Sequence, residues 1–116
     1  MNYKRKESVN AGLGGSTSGM NYDIIRGAER NDLDEVRSAV EIEGVSVNYQ
    51  EPVAGLTALH KVAARGNILV LKWLVSHPDV DLDIRDTFDR SAAKVAAMFR
   101  QEEAYQIICA ARFSGD

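Results

Sequence analysis

One stretch of the chain decides the fold: residues 55–66 read Gly-Leu-Thr-Ala-Leu-His-Lys-Val-Ala-Ala-Arg-Gly. This pattern predicts a short helix that starts after Thr57, carries small residues on one face and ends at Gly66. A second amphipathic run follows at once, over residues 67–76. A helix pair of this size is too thin to bury its own apolar side, so it must stack on similar pairs. Stacked helix pairs form surfaces that bind other proteins.

The same pattern recurs on both sides of this stretch. Residues 31–40 align with residues 66–75, an offset of 35 residues. Residues 57–64 align with residues 91–98, an offset of 34 residues. Repetition at a nearly fixed period indicates an array of similar supersecondary units. The units predicted from these offsets are about 21–53, 54–87 and 88–116.

The repeated unit resembles the ankyrin repeat, and the resemblance extends over nearly all of residues 21–116. It implies an all-α ankyrin-repeat solenoid of three stacked helix–turn–helix units joined by short hairpin-like loops. The outer units match less well, because Asp89 stands where a left-handed glycine is expected and Lys94 replaces the motif histidine. The motif residues that the middle unit supplies are Gly55, Thr57, Leu59, His60, Ala63, Gly66 and Asn67.

Local physical chemistry predicts a role for each of the main motif residues. Thr57 is expected to cap the helix, and His60 to bond back to Thr57 or to a neighbouring unit. Ala63 lets the first helix lie close to its neighbour, and Gly66 allows the positive φ that ends that helix. In the second helix, the residues expected to form the core between units are Leu69, Val70, Trp73 and Leu74.

Length, composition and charge fit a single folded domain. The chain has 116 residues, of which 45% are hydrophobic, and a formal net charge of −3, which argues against a general affinity for nucleic acid. No apolar run approaches the roughly 18–20 residues of a membrane helix. Cys109 is the single cysteine, which is typical of a reducing compartment. We therefore expect a cytoplasmic or nuclear protein that is monomeric when free, with no nucleic-acid partner and no membrane partner.

Residues 1–20 differ in composition from the rest of the chain. The run Gly12-Leu-Gly-Gly-Ser-Thr-Ser-Gly19 cannot bury enough apolar surface to offset its ordering entropy. We expect a disordered, basic, Gly/Ser-rich tail, or a linker foreign to the natural chain. In the second case Met20 is a plausible natural start, and the ankyrin-repeat domain covers residues 21–116.

Catalytic and metal-binding interpretations find little support in the sequence. Serine, histidine and aspartate are present, but no nucleophile-elbow pattern arranges them. Asp79, Asp81 and Asp83 alternate as in a calcium loop, but the glycine and the terminal glutamate of an EF-hand are missing. We expect no enzyme activity, no metal and no cofactor.

The resemblance also implies where a partner would bind, at the loop tips between units and on the exposed face of each first helix. Large apolar groups at such positions are typical of contact surfaces, and arginines pair with acidic partner groups. Phe88 and Phe99 have a second interpretation, in which they fold inward and seal the last unit. The candidate partner-binding residues are Arg30, Tyr49, Gln50, Glu51, Val53, Leu56, Arg65, Arg85, Thr87, Phe88, Arg90, Met98 and Phe99.

These observations favour a protein–protein interaction module that binds another protein through the ankyrin loop tips and the concave helix face. An alternative is a regulatory or inhibitory subunit that blocks the activity or assembly of a target protein. A further alternative is a part excised from a longer array, which the apolar residues Ile107, Ile108 and Phe113 suggest.

Overall fold

The computed structural model describes residues 14–114, with side chains described for residues 21–113. Within these residues the chain forms six α-helices and no β-strand, so the predicted all-α fold is confirmed. The helices are α1 (Gly14–Glu29), α2 (Leu33–Glu41), α3 (Ala58–Arg65), α4 (Ile68–Ser76), α5 (Ala92–Met98) and α6 (Glu102–Ser114).

The helices form three consecutive pairs that stack in two layers. Each first helix packs on the second helix of its own pair, and α1, α3 and α5 lie next to one another in one layer. The second helices α2, α4 and α6 form the other layer in the same order. The predicted solenoid of three stacked helix pairs is therefore confirmed.

The start of the first helix differs from the expectation. The sequence places the beginning of the folded domain at residue 21, whereas α1 begins at Gly14. Once a helix is nucleated, each added residue contributes a backbone hydrogen bond, so a helix can extend across a change in sequence composition. Residues 1–13, which form the rest of the predicted tail, lie outside the described residues.

Apolar side chains from all three pairs form one continuous core. Its largest fully buried members include Ile24 and Ile25 of α1, Leu71 and Leu74 of α4, and Ile108 of α6. Burial of each such side chain contributes about 1.5–3 kcal/mol to the free energy of unfolding.

One residue that the sequence predicts to be in the core lies at the surface instead. Leu69 is 54% exposed, and Leu71 is buried instead. The sequence of α4, Ile-Leu-Val-Leu-Lys-Trp-Leu-Val-Ser, is apolar around most of its circumference. The period therefore does not single out the face that is buried.

Within two residues of its end, each first helix is followed by a residue in the left-handed conformation, which we call the helix stop. These residues are Asn31 (φ 55°), Gly66 (φ 70°) and Arg100 (φ 59°). Only Gly66 avoids the steric cost that a Cβ atom brings in this region.

The residue after each helix stop links one unit to the previous one. The Asn67 side-chain amide donates to the carbonyls of Ala28 (2.9 Å) and Glu29 (3.2 Å) in the first unit. The Gln101 amide donates in the same way to the carbonyl of Ala64 (3.1 Å). Asp32 occupies the equivalent place in the first unit and instead caps its own helix, accepting from the backbone N–H of Glu35. The orphan carbonyls at the ends of α1 and α3 thus find donors in the next unit.

We predict that Gly66→Ala lowers the free energy of unfolding by about 1–3 kcal/mol, because alanine is strained at this φ. The added Cβ would also lie 2.5 Å from Oε1 of Gln101 and would displace the amide that bonds to Ala64. Urea denaturation followed by circular dichroism measures the change. The control is Arg100→Gly at the equivalent helix stop, which is expected not to destabilise. Equal destabilisation by both variants would contradict this account.

Candidate protein-binding surface

Two hairpin-like loops join the units, and they differ in length by one residue. In the loop before α3, the backbone N–H of Glu51 donates to the carbonyl of Leu56 (2.9 Å). In the loop before α5, the N–H of Asp86 donates to the carbonyl of Arg90 (3.0 Å). The first closure therefore spans one residue more than the second. We call the two segments the first loop (residues 51–56) and the second loop (residues 86–90).

The extra residue of the first loop places a valine in an unusual conformation. The second loop has one left-handed residue, Asp89 (φ 63°), at the place where the motif expects glycine. The first loop has two, Gly55 (φ 70°) and Val53 (φ 72°). A β-branched residue at positive φ is a steric outlier that costs on the order of 1–3 kcal/mol. Val53 is also 96% exposed, so its side chain gains nothing from burial in the free protein.

Contacts from the second loop hold this strained segment in place. The Thr87 hydroxyl donates to the carbonyl of Val53 (2.6 Å), and the Thr87 N–H donates to the carbonyl of Ala54 (2.9 Å). The Gln50 side-chain amide bridges the loops from the other side, donating to the carbonyls of Gly55 (2.9 Å) and Arg85 (3.0 Å). The two loop tips are therefore fixed relative to each other.

A buried carboxylate organises the second loop. Oδ1 of Asp86 accepts from the N–H groups of Phe88 and Arg90, both at 2.9 Å, and Oδ2 accepts from Nε of Arg90 at 2.7 Å. Burial by itself raises the pKa of the Asp86 carboxyl, but the hydrogen bonds from Arg90 and Phe88 outweigh it and hold the pKa below its ordinary value. The Arg90 guanidinium also lies 5.1 Å from the centre of the Phe88 ring. Arg90 is therefore oriented before any partner arrives.

His60 ties the second unit to the second loop. The Thr57 side chain accepts from the N–H of His60, and Nδ1 of His60 accepts from the N–H of Thr57 (3.3 Å), which completes a capping box. Nε2 lies 2.8 Å from the carbonyl of Arg90, which can only accept, so Nε2 carries the proton of the neutral ring. Burial lowers the pKa of His60 below its ordinary 6.5, although the Arg90 carbonyl and the Asp86 charge favour the protonated form.

A groove opens between α3 and α5 beside these loops. It has a volume of about 290 Å³. Four of the candidate partner-binding residues line it, namely Leu56, Arg65, Arg90 and Phe99. The other lining residues are His60, Lys61, Ala64 and Val95.

Phe88 and Phe99 are exposed rather than folded into the protein. Phe88 is 71% exposed and Phe99 is 54% exposed, so the interpretation in which they seal the last unit is wrong. Met98 is also exposed but does not line the groove. Tyr49 is half-buried against the core, so only part of its side chain is accessible to a partner.

Several charged candidates already have partners within the chain. Arg30 pairs with Glu35 at 3.7 Å, and Arg85 pairs with Asp89 at 3.3 Å. Glu51 is largely buried and lies 3.9 Å from Nζ of Lys61. Arg65 is exposed and forms no ion pair with any side chain of residues 21–113.

Sequence reasoning missed Lys61 as a groove residue. Lys61 pairs with Glu29 at 3.0 Å across the interface between units. The sequence contained a signal that could have identified Lys61. It lies one helical turn before Arg65, so both cations are on the same face of α3.

Two further observations concern other kinds of site. No helix within residues 14–114 combines the length and the apolar character needed to cross a bilayer. In the same residues no group of three or more histidine, cysteine, aspartate or glutamate side chains is close enough to hold a metal ion.

Residues 24–75 match a family model described as ankyrin repeats (many copies). The matched span contains α2 and α3, most of α4 and residues 24–29 of α1. No curated protein matches the chain.

We predict that the free energy of unfolding falls as the pH is lowered below about 6.5. Because burial lowers the pKa of His60 in the folded chain, the unfolded state binds more protons below the ordinary pKa of 6.5, and protons favour unfolding. The contribution of His60 to the free energy of unfolding is therefore complete above pH 6.5 and is lost as the pH falls. Urea denaturation at several pH values measures it. His60→Gln should lose this dependence, whereas His77→Gln should keep it. Equal pH dependence in both variants would refute the prediction.

Proposed function

The chain is an ankyrin-repeat protein, and we propose that it holds a partner protein against its two loop tips and the groove between α3 and α5. Ankyrin repeats are generally protein–protein interaction modules. The observation that carries the proposal is the exposure of Val53 and Phe88, at 96% and 71%, on neighbouring loops. Apolar side chains in such positions act as anchors when a partner excludes water from them.

The arrangement of the loops supports this role. Val53 and Phe88 project from segments that are tied together by Thr87 and Gln50. A partner that binds both tips therefore pays little entropy to order them, which favours affinity. The strain at Val53 points the same way, because strained backbone that local contacts maintain is concentrated at functional sites.

The anchors can be tested by replacing both apolar tips with charge. We predict that the double variant Val53→Asp, Phe88→Asp loses the partner by at least about tenfold, since a carboxylate in a dry contact is left unpaired. The measurement is quantitative crosslinking and mass spectrometry of partners captured from the native cell.

The matched control is Ile42→Asp, which also charges an exposed apolar residue (80% exposed), at the end of α2. It should capture the same proteins as the unaltered chain. Thermal melts establish that all variants fold. If the double variant captures the same proteins at the same level as the control, the proposed surface is wrong. If a captured partner is an enzyme, its activity with and without this chain separates a holding role from an inhibitory one.

A second test separates stability from binding at one residue. We predict that Val53→Gly raises the free energy of unfolding by up to about 1 kcal/mol, because glycine relieves the strain at φ 72°. The same variant should weaken partner binding, because the apolar anchor is gone. Urea denaturation and a partner titration give the two readings. Opposite signs in them are expected, and a variant that is less stable yet binds equally well would contradict the assignment.

A further inference from the structure

The groove between α3 and α5 is lined by cationic side chains, although the chain as a whole is acidic. The formal net charge of the protein is −3. The groove nevertheless has Lys61, Arg65 and Arg90 among its lining residues, and no aspartate or glutamate. Its apolar lining includes Leu56 and Phe99. On an acidic protein, a cationic side chain without an internal counter-ion marks a place that attracts negative groups.

The three cations are not equally committed to internal partners. Lys61 is held between Glu29 (3.0 Å) and Glu51 (3.9 Å), so its charge is largely compensated. The Nε of Arg90 donates to the Asp86 carboxylate at 2.7 Å, so its charge is paired within the chain as well.

Arg65 differs from both of these cations. It is exposed and forms no ion pair with any described residue. Its planar guanidinium can bind a carboxylate with two parallel hydrogen bonds.

We propose that the groove binds an acidic segment of the partner protein, with a carboxylate on Arg65 and an apolar side chain against Leu56 and Phe99. This inference rests on the proposed function and assigns the partner's chemistry. The volume of about 290 Å³ suits a short piece of chain rather than a folded body. The overall negative charge disfavours a nucleic acid, because a polyanion would be repelled by the rest of the surface.

Defined peptides test the inference without knowledge of the natural partner. The probe is a peptide with one leucine flanked by two glutamates on each side. Its controls replace the glutamates by glutamine or the leucine by serine. Each peptide is titrated into the full chain at low salt, and NMR shifts of the Arg65 side-chain Nε–H and of the Phe99 backbone amide are followed. We expect the glutamine peptide to bind at least about tenfold more weakly, and the binding of the acidic peptide to weaken as salt is added.

Variants assign the effect to this groove. Arg65→Gln should make the acidic and glutamine peptides bind alike, whereas Arg37→Gln should keep the difference. Arg37 is a matched control because it carries the same charge on α2, where it pairs with Glu41 at 3.4 Å. Phe99→Ser should remove the preference for leucine over serine while it keeps the preference for glutamate over glutamine.

The inference is overturned if the acidic and glutamine peptides bind equally to the unaltered chain. It is also overturned if Arg65→Gln keeps the same preference as Arg37→Gln, or if the acidic peptide at millimolar concentration moves neither reporter signal. These outcomes are independent of the capture experiment with Val53 and Phe88. If that experiment succeeds and the peptides fail, the chain still holds a partner, but one of different chemistry.

Discussion

A helix pair in this chain cannot bury its own apolar side, and every other property of the structure depends on the way neighbouring pairs solve that problem. Burial of Ile24, Leu71 and Ile108 requires side chains from adjacent pairs. The same contact brings together the ends of the first helices, whose carbonyls would otherwise lack donors. Asn67 and Gln101 supply those donors across the interfaces. Apolar burial and hydrogen-bond satisfaction therefore impose the same register on the stack.

The register of the stacked helix pairs also fixes the positions of the two loops. His60 bonds to the carbonyl of Arg90, and Asp86 bonds to the N–H and side chain of Arg90, so the second loop is held from both sides. The first loop is held through Thr87. A surface built on such loops differs from one built on free loops, because its apolar tips are ordered before binding.

The parts of the fold that could be predicted from sequence are those coded by local contacts. The capping box of Thr57 and His60 and the left-handed stop at Gly66 involve residues three to nine positions apart, and the structure confirms them. The positive φ of Asp89 could also be predicted, because the ankyrin motif has a left-handed glycine at this position.

Features that depend on the neighbouring unit could not be predicted in the same way. Leu69 was assigned to the core because α4 is apolar nearly all round, and only the position of the adjacent helices decides which face is buried. The left-handed conformation of Val53 had no signal, because valine does not favour it; the cause is one additional residue in a loop whose ends are fixed. That Arg65 forms no ion pair with a described residue could not be predicted either, since an arginine alone does not show whether a carboxylate lies within reach.

The amide that follows each helix stop gives the array a polarity. Asn67 and Gln101 can donate to a preceding unit, but Asp32, at the same place in the first unit, presents a carboxylate that would repel such carbonyls. The carbonyls near the end of α5, in contrast, occupy the place that receives an amide in the other two units. An artificial array designed from this protein would therefore lengthen readily at its carboxyl side. At its amino side it would first need the exchange Asp32→Asn.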